Sequence, residues 1–264
     1  MTFQHLRLEI DAPIGVITLD RPEKLNALSR PLHDEMIAAA NQLQADDDVR
    51  VVIVTGAGRG FCSGADLTAR PGQIARVTQN ERMDEFGWVG RQALTFGQLD
   101  KPTIAAVNGV AAGAGMSLAL ACDLRVGSEK ARFKVVFLER SLSPDAGMTW
   151  FLPRIVGYPK AAELVLTSRF VESDEALELG LINERVAHEE LLARARELAA
   201  EIAFWPPLAA RSAKRVMQRN LNVTLEEALR NEITAISHAS RAAHDVAEAQ
   251  ASFVEKRLPV FTGE

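Results

Sequence analysis

The sequence predicts an α/β protein in which helices cover a sheet, and three observations carry that prediction. Two β-branched runs, 49–55 and 103–107, are each long enough for a buried strand and each end at a glycine-bearing loop. The second runs on into a small-residue stretch, 111–121, that reads as a tightly packed helix. From Pro159 onward apolar residues recur at helical spacing, with 182–186 a short exception. Strand and helix signals alternating in this way place helices against a sheet.

The elements follow in order. Residues 6–10 and 15–19, separated by Ala12-Pro13, read as an opening hairpin. After the turn at 21–26, Ser29 caps a helix whose apolar positions Leu32, Met36, Ile37, Ala40 and Leu43 lie at helical spacing, and Asp46-Asp47-Asp48 closes it. The strand 49–55 is bounded by Gly56-Ala57-Gly58. Residues 70–85 are polar and carry Pro71-Gly72, so the first half reads as a mobile loop, and a helical pattern runs over 83–99. Strands are expected at 124–126 and 132–137. Pro206-Pro207 breaks the C-terminal helical run, and Thr224 caps one long final amphipathic stretch to Lys256.

With 264 residues the chain is long enough to bury a real core without a staple. Thirty basic against 35 acidic residues give a net charge of −5 with no long block of one sign, which argues against nucleic acid as a partner. Cys62 and Cys122 match no metal motif, and their small number points to a reducing compartment. The first twenty residues lack the apolar run of a signal peptide, and no segment reaches the roughly 18 apolar residues of a membrane span. A cytoplasmic protein is expected. The five histidines read as solvated surface, and no metal cluster or Ser-His-Asp set is evident.

Three segments carry candidate chemistry. In residues 60–67, G-F-C-S-G-A-D-L, small side chains after a strand let a ligand approach the main chain and its N–H donors. In 108–117, N-G-V-A-A-G-A-G-M-S, the loop opens a helix whose first N–H groups are unpaired. Each pattern alone fits a simple turn or close helix packing equally well. In 143–150, S-P-D-A-G-M-T-W, Asp145 is either a helix N-cap or a carboxylate whose pKa is raised by Leu142, Met148, Trp150 and Phe151, suited to carrying a proton. Local sequence leaves both readings open.

In order along the chain stand P-E-K-L-N-A-L at 22–28, V-I-V-T-G-A-G-R-G-F-C-S-G-A-D-L at 52–67 and K-P-T-I-A-A-V-N-G-V-A-A-G-A-G at 101–115. They are followed by A-C-D-L-R at 121–125, P-D-A-G-M-T-W-F-L-P-R at 144–154 and F-V-E-K-R-L-P-V-F-T-G at 253–263. This series resembles the crotonase (enoyl-CoA hydratase/isomerase) superfamily. The resemblance implies a spiral core of ββα repeats over 1–203, with the acyl-CoA site, and a helical region over 204–264 that builds a homotrimer or hexamer. It implies an oxyanion hole made by the Ala65 and Ala114 N–H groups. It also implies coenzyme A contacts from the Ser63 region at adenine and from Lys24 and Ala27 along the cofactor. Asp66, Leu67, Gly113 and Phe137 would border the same site, Phe253 and Lys256 would reach in from the tail, and residues 70–88 would shape the acyl pocket. Coenzyme A enters as part of the substrate thioester, with no metal and no tightly bound cofactor.

Departures from the family pattern sharpen the expectation. The two glutamates of hydratases fall on Ser117 and Phe137, neither of which exchanges protons as a carboxylate does, so efficient hydration is not expected. Asp145 stands in a P-D-x-G-x-T-W context similar to the ring-epoxide phenylacetyl-CoA isomerase branch and its double-bond-shifting relatives. An acyl-CoA isomerase with Asp145 as proton shuttle is the expected activity. Glu139 is a rival acid, because two residues along a strand it would share a face with Phe137. The aryl-CoA dehalogenase reading is disfavoured by Leu94, where that relative uses a histidine. A hydratase with an atypical acid/base and a CoA-ester-binding homologue without catalysis are the alternatives.

Overall fold

The computed structural model describes residues 2–68 and 78–264. Most of the loop expected in the first half of 70–85 falls on 69–77, outside the described residues. The chain opens with β1 (Leu6–Asp11), β2 (Ile14–Leu19), α1 (Arg30–Ala45), β3 (Val51–Gly56) and β4 (Gly60–Cys62). Then come α2 (Gln79–Arg82), α3 (Gly87–Gly97), β5 (Thr103–Val107), β6 (Val110–Ala112), α4 (Ala114–Ala121), β7 (Leu124–Ser128) and β8 (Arg132–Lys134). A 3₁₀ turn over Phe137–Arg140 precedes α5 (Met148–Val156), α6 (Tyr158–Thr167), β9 (Phe170–Glu172), α7 (Ser173–Glu178) and β10 (Glu184–Val186). The helices α8 (Leu191–Ala203), α9 (Pro207–Asn220), α10 (Leu225–Ala239) and α11 (Ala243–Glu255) complete the chain.

Among the described residues ten strands form two sheets, of six in the order β1-β2-β3-β5-β7-β10 and of four in the order β4-β6-β8-β9. Successive strand pairs β3 with β4, β5 with β6 and β7 with β8 place one strand in each sheet. Each turn of the chain therefore lays down one rung of a spiral, the ββα repeat. Neighbours from β2 through β10 in the large sheet are parallel, and β4, β6 and β8 run parallel in the small one.

Alternation sorts the buried strand residues between two cores. Val16, Val51, Ile53, Ile104, Ala106 and Val126 face α8, whose Leu191, Ala195, Ala199 and Ala203 recur every four residues in one stripe. Ile17, Leu19, Val52, Val54, Ala105 and Val107 face the opposite way, onto Leu32, Met36, Ala40 and Leu43 of α1 and the wholly buried α4. Burying such an aliphatic side chain contributes about 1.5–3 kcal/mol. Ser29 caps α1 as expected, its side chain accepting the Leu32 N–H.

The C-terminal helices are tied to the spiral by polar links. Arg50 donates to the carbonyls of Ala203 (3.0 Å) and Phe261 (2.7 Å), and Lys214 of α9 donates to the Lys101 carbonyl (2.9 Å). The buried Asp245 carboxylate accepts the N–H groups of Thr262 (2.8 Å) and Gly263 (2.9 Å). Among the described residues no helix is long and apolar enough to cross a membrane.

Several expected elements are corrected. The final stretch to Lys256 is two helices, because the chain turns at 240–242 between α10 and α11. Thr224 does cap α10, in a reciprocal capping box with Glu227. The stretch 111–121 begins in β6, since the parallel pairing with Arg132–Lys134 takes up Val110–Ala112 before α4 starts. The pattern over 83–99 is helical only from Gly87, with the separate turn α2 before it. The strand expected over 132–137 stops at Lys134 because Val136 takes a left-handed conformation, φ 58°, and Phe137 opens the 3₁₀ turn. Glu139 is then not a strand residue, and the parity that would have turned it beside Phe137 does not exist. Nor is every histidine solvated: His33 is only 3% exposed and packs edge-on against Trp88 at 5.4 Å.

Candidate active site

β4 and β6 are parallel neighbours, with Gly60 opposite Val110 and Cys62 opposite Ala111, so the segments that follow them emerge side by side. Their approach leaves no room for a side chain. A Cβ on Gly115 would sit 2.2 Å from the Cys62 carbonyl oxygen. Gly64 has φ +92°, and a Cβ there would stand 2.9 Å from the Ala112 oxygen and 3.7 Å from the Ala114 nitrogen. The 63–66 loop thus lies directly against the start of α4.

Each of these segments holds an N–H with no backbone acceptor among the described residues. Leu28 forms a parallel bridge with Ala65, donating to the Gly64 carbonyl (2.8 Å) and accepting from the Asp66 N–H (2.9 Å). In such a bridge the central residue turns its own N–H away from the partner, so that of Ala65 points to the other side. Ala114 is the first residue of α4, where no intrahelical acceptor exists. The preceding Gly113 donates to the Lys134 carbonyl (3.0 Å), and the helical bonding of α4 starts with Ser117, which donates to that of Gly113 (3.0 Å). Among the described residues neither the Ala65 nor the Ala114 N–H donates to a backbone carbonyl.

Side chains far apart in sequence fix this scaffold. Asn26 and Asn108, each fully or nearly buried, both donate to the Gly60 carbonyl, at 2.8 and 3.2 Å. Arg21 donates to the Ala27 carbonyl (2.5 Å) and pairs with Asp66 (2.9 Å). Hydrogen bonds from Thr68 and Arg21 pull the Asp66 carboxyl down to about 2, so it is a carboxylate spent on holding the loop. Beside it Lys24 donates to the Thr68 hydroxyl (3.1 Å) and Ser63 to the Lys24 carbonyl (3.3 Å). Leu67 is 65% exposed and Ala27 is buried. Burial pushes the Cys62 thiol up to about 12, which leaves it a packing residue.

The wall behind Gly113 is the 135–147 segment. A Cβ on Gly113 would stand 3.0 Å from Val136 and 3.9 Å from the buried Phe137 ring. A β-branched residue at φ 58° is strained by about 1–3 kcal/mol, which the surrounding packing must offset. Ser117 is buried on α4. Lys134 pairs with Glu139 at 2.6 Å and holds its carboxyl below the usual range. Asp145 is different. It is exposed in the single chain, yet neighbouring atoms desolvate its carboxyl and push it above its ordinary value. Nor is it the cap of α5: Gly147 holds that position without a side-chain bond, and Asp145 contributes only its carbonyl, to the Met148 N–H at 2.9 Å.

The structure therefore gathers Lys24, Ala27, Ser63, Ala65, Asp66, Leu67, Gly113, Ala114 and Phe137 around the two loops. α5, which follows Asp145, packs on α4. Phe253, 85% exposed, and Lys256, in a left-handed C-cap, stand at the end of α11 and open to solvent. The roles of Arg21, Asn26 and Asn108 in holding the loops are not signalled by spacing, although both asparagines lie inside quoted motifs. Among the described residues no group of His, Cys, Asp and Glu side chains is placed to hold a metal ion.

The chain is similar to known proteins over nearly its whole length. The family model described as enoyl-CoA hydratase/isomerase matches residues 9–264. A Mycobacterium bovis protein named as a probable enoyl-CoA hydratase is 35% identical over 264 residues, covering 99% of each chain. The 1,2-epoxyphenylacetyl-CoA isomerase of Escherichia coli is 34% identical over 255 residues, covering 97% of each. Among solved structures, an enoyl-CoA hydratase from Bacillus anthracis superposes with a TM-score of 0.89 at 34% identity, over 99% of this chain and 100% of that one.

Proposed function

We propose that this chain, which belongs to the enoyl-CoA hydratase/isomerase family, is an acyl-CoA isomerase in which Asp145 moves a proton between two carbons of the substrate. The observation that carries the reading is the state of its carboxylates. Asp145 is raised by desolvation, Glu139 is ion-paired with Lys134 and held low, and by the family resemblance Ser117 and Phe137 would fall where hydratases carry glutamates.

In this mechanism the thioester carbonyl oxygen accepts the Ala65 and Ala114 N–H groups. Removing a proton from the carbon beside the thioester moves negative charge onto that oxygen, and donors already in place stabilise the enolate more than the ground state. One such donor is worth about 2.7–4 kcal/mol. Asp145, its basicity raised by desolvation, accepts the proton and returns it at another carbon. The net change is a double-bond shift or the rearrangement of a ring-epoxide aryl-acetyl thioester. Lys24, Ala27, Ser63, Asp66, Leu67, Gly113 and Phe137 would line the coenzyme A portion. Phe253 and Lys256 would reach the site of a neighbouring copy in a trimer or hexamer.

The names of several relatives favour a second reading, a hydratase with an atypical acid/base. Turnover of a trans-3-enoyl-CoA measured beside hydration of crotonyl-CoA separates them. Isomerisation well above hydration is the expected result, and the reverse would overturn the isomerase reading.

A further inference from the structure

The Asp145 carboxylate is aimed without help from any other side chain. Among the described residues it makes no ion pair and no hydrogen bond with another residue, and the donor that reaches it is its own backbone N–H. Glu139, by contrast, is held by Lys134 at 2.6 Å. What fixes the direction of Asp145 must therefore lie in the backbone on either side of it.

On one side stands Pro144, whose ring sets its φ. On the other, the Asp145 carbonyl accepts the Met148 N–H at 2.9 Å across Ala146, φ 52°, and Gly147, φ 78° and ψ 6°. Positive φ at both central residues is the signature of a type I′ turn, which favours glycine, asparagine or aspartate and opposes alanine. Gly147 suits its place, since a Cβ there would stand 2.7 Å from the Phe151 ring and 3.3 Å from Ala93 of α3. Ala146 does not suit its own, yet it is 4% exposed and packs in the main core together with Met148 and Leu152. Among the described residues seven non-glycine residues have positive φ, and three of them, Val136, Ser141 and Ala146, fall in this one wall of the site. Strain of this kind persists only where the surrounding packing holds it, and it gathers at functional sites.

We propose that Ala146 is a positioning residue for the proton transfer: its buried methyl group anchors the strained turn and so holds the Asp145 carboxylate in one direction. The inference rests on the isomerase reading above. Glycine at 146 would form the same turn without strain, but it would lack the anchor in the core and could leave the turn for other conformations at little cost. The carboxylate before it would then sample a wider range of directions. Alanine, disfavoured by its backbone, is explained by what its methyl group holds in place.

The test is a double-mutant cycle on the full-length protein, read as turnover of a trans-3-enoyl-CoA, with each variant checked for folding by thermal denaturation. Ala146→Gly should lower kcat about tenfold or more and change KM by less than about twofold, since a displacement of about 1 Å in a reacting group costs up to about 10²-fold. Ala146→Ser, which keeps the Cβ, should recover most of that loss. In the Asp145→Asn background Ala146→Gly should alter the residual rate by less than about twofold, because no carboxylate is left to position. A merely structural role for Ala146 would lower the rate equally in both backgrounds. That result, or full kcat in a folded Ala146→Gly protein, overturns the inference while leaving the loss on Asp145→Asn, and with it the shuttle, intact. If Asp145→Asn alone keeps full turnover, the shuttle reading falls and this inference falls with it.

Discussion

Arg21 and Asp66, 45 residues apart in sequence, meet in an ion pair of 2.9 Å, and the same guanidinium donates to the Ala27 carbonyl. One side chain thereby fastens the 63–66 loop, with its Ala65 donor, to the turn that follows β2. The pair is nearly out of solvent, with side chains 15% and 11% exposed, so it is screened less than a surface bridge.

Asp66→Asn should loosen that loop and lower acid stability in a defined window. The Asp66 carboxyl is held at about 2, against an ordinary 3.8. A depressed carboxylate stabilises the fold above its unfolded value and loses that contribution as pH falls through the folded one. The parent protein should therefore exceed the variant by on the order of 1–2 kcal/mol at pH 5. The gap should close between pH 4 and 2, read from thermal denaturation at each pH. A gap independent of pH over this range would show that the pair contributes nothing through ionisation.

Ala114→Pro removes the N–H proposed as an oxyanion donor, at the helix position where proline is best tolerated. Turnover should fall on the order of 10²–10³-fold while the circular dichroism spectrum stays that of the parent. A folded variant with full turnover would take the Ala114 N–H out of the mechanism.

Much of this site was legible before the structure, and the boundary of legibility has a physical cause. Ser29 before Leu32, the β-branched runs and the small residues at 63–65 and 113–115 are local signals, and the structure places them as a cap, two central strands and two touching loops. What stayed hidden is set by distant packing. Val136 is driven into a left-handed conformation that its own propensity opposes, and this ends β8 early and turns Glu139 toward Lys134. His33 occupies a position polar by residue type yet is covered by Trp88, 55 positions away in the chain. The partnership of Arg21 with Asp66 is likewise tertiary.

The tail predicts assembly. Along α10 the residues Leu225, Leu229, Ile233 and Ile236 are 76%, 52%, 70% and 65% exposed, a stripe at helical spacing that a lone chain would leave in water. The protein should scatter light as a trimer or a multiple of one, and Ile233→Glu, which puts a charge into that stripe, should shift it toward monomer. A parent protein monomeric at micromolar concentration would contradict this.

Asp145→Asn tests the proton shuttle itself. Asparagine keeps the shape but accepts no proton, so isomerisation should fall by about 10² or more while thioester affinity changes little, the oxyanion donors being elsewhere. Stability supplies the control. Because desolvation raises the Asp145 carboxyl, its folded state binds a proton more tightly than its unfolded state, and the ionised group opposes folding at neutral pH. Replacing it with a neutral amide should hold or slightly raise the melting temperature at pH 7. The parent enzyme should also lose activity as pH falls through a value above that of an ordinary aspartate, since the base must be unprotonated to start the cycle. Asparagine abolishes that limb with the activity. A variant that stays active would pass the proton-carrying role to another group, and Glu139→Gln would then be measured first. Lys134 holds the Glu139 carboxyl low, which makes it a poor base, so that variant should keep its rate unless the shuttle is indeed Glu139.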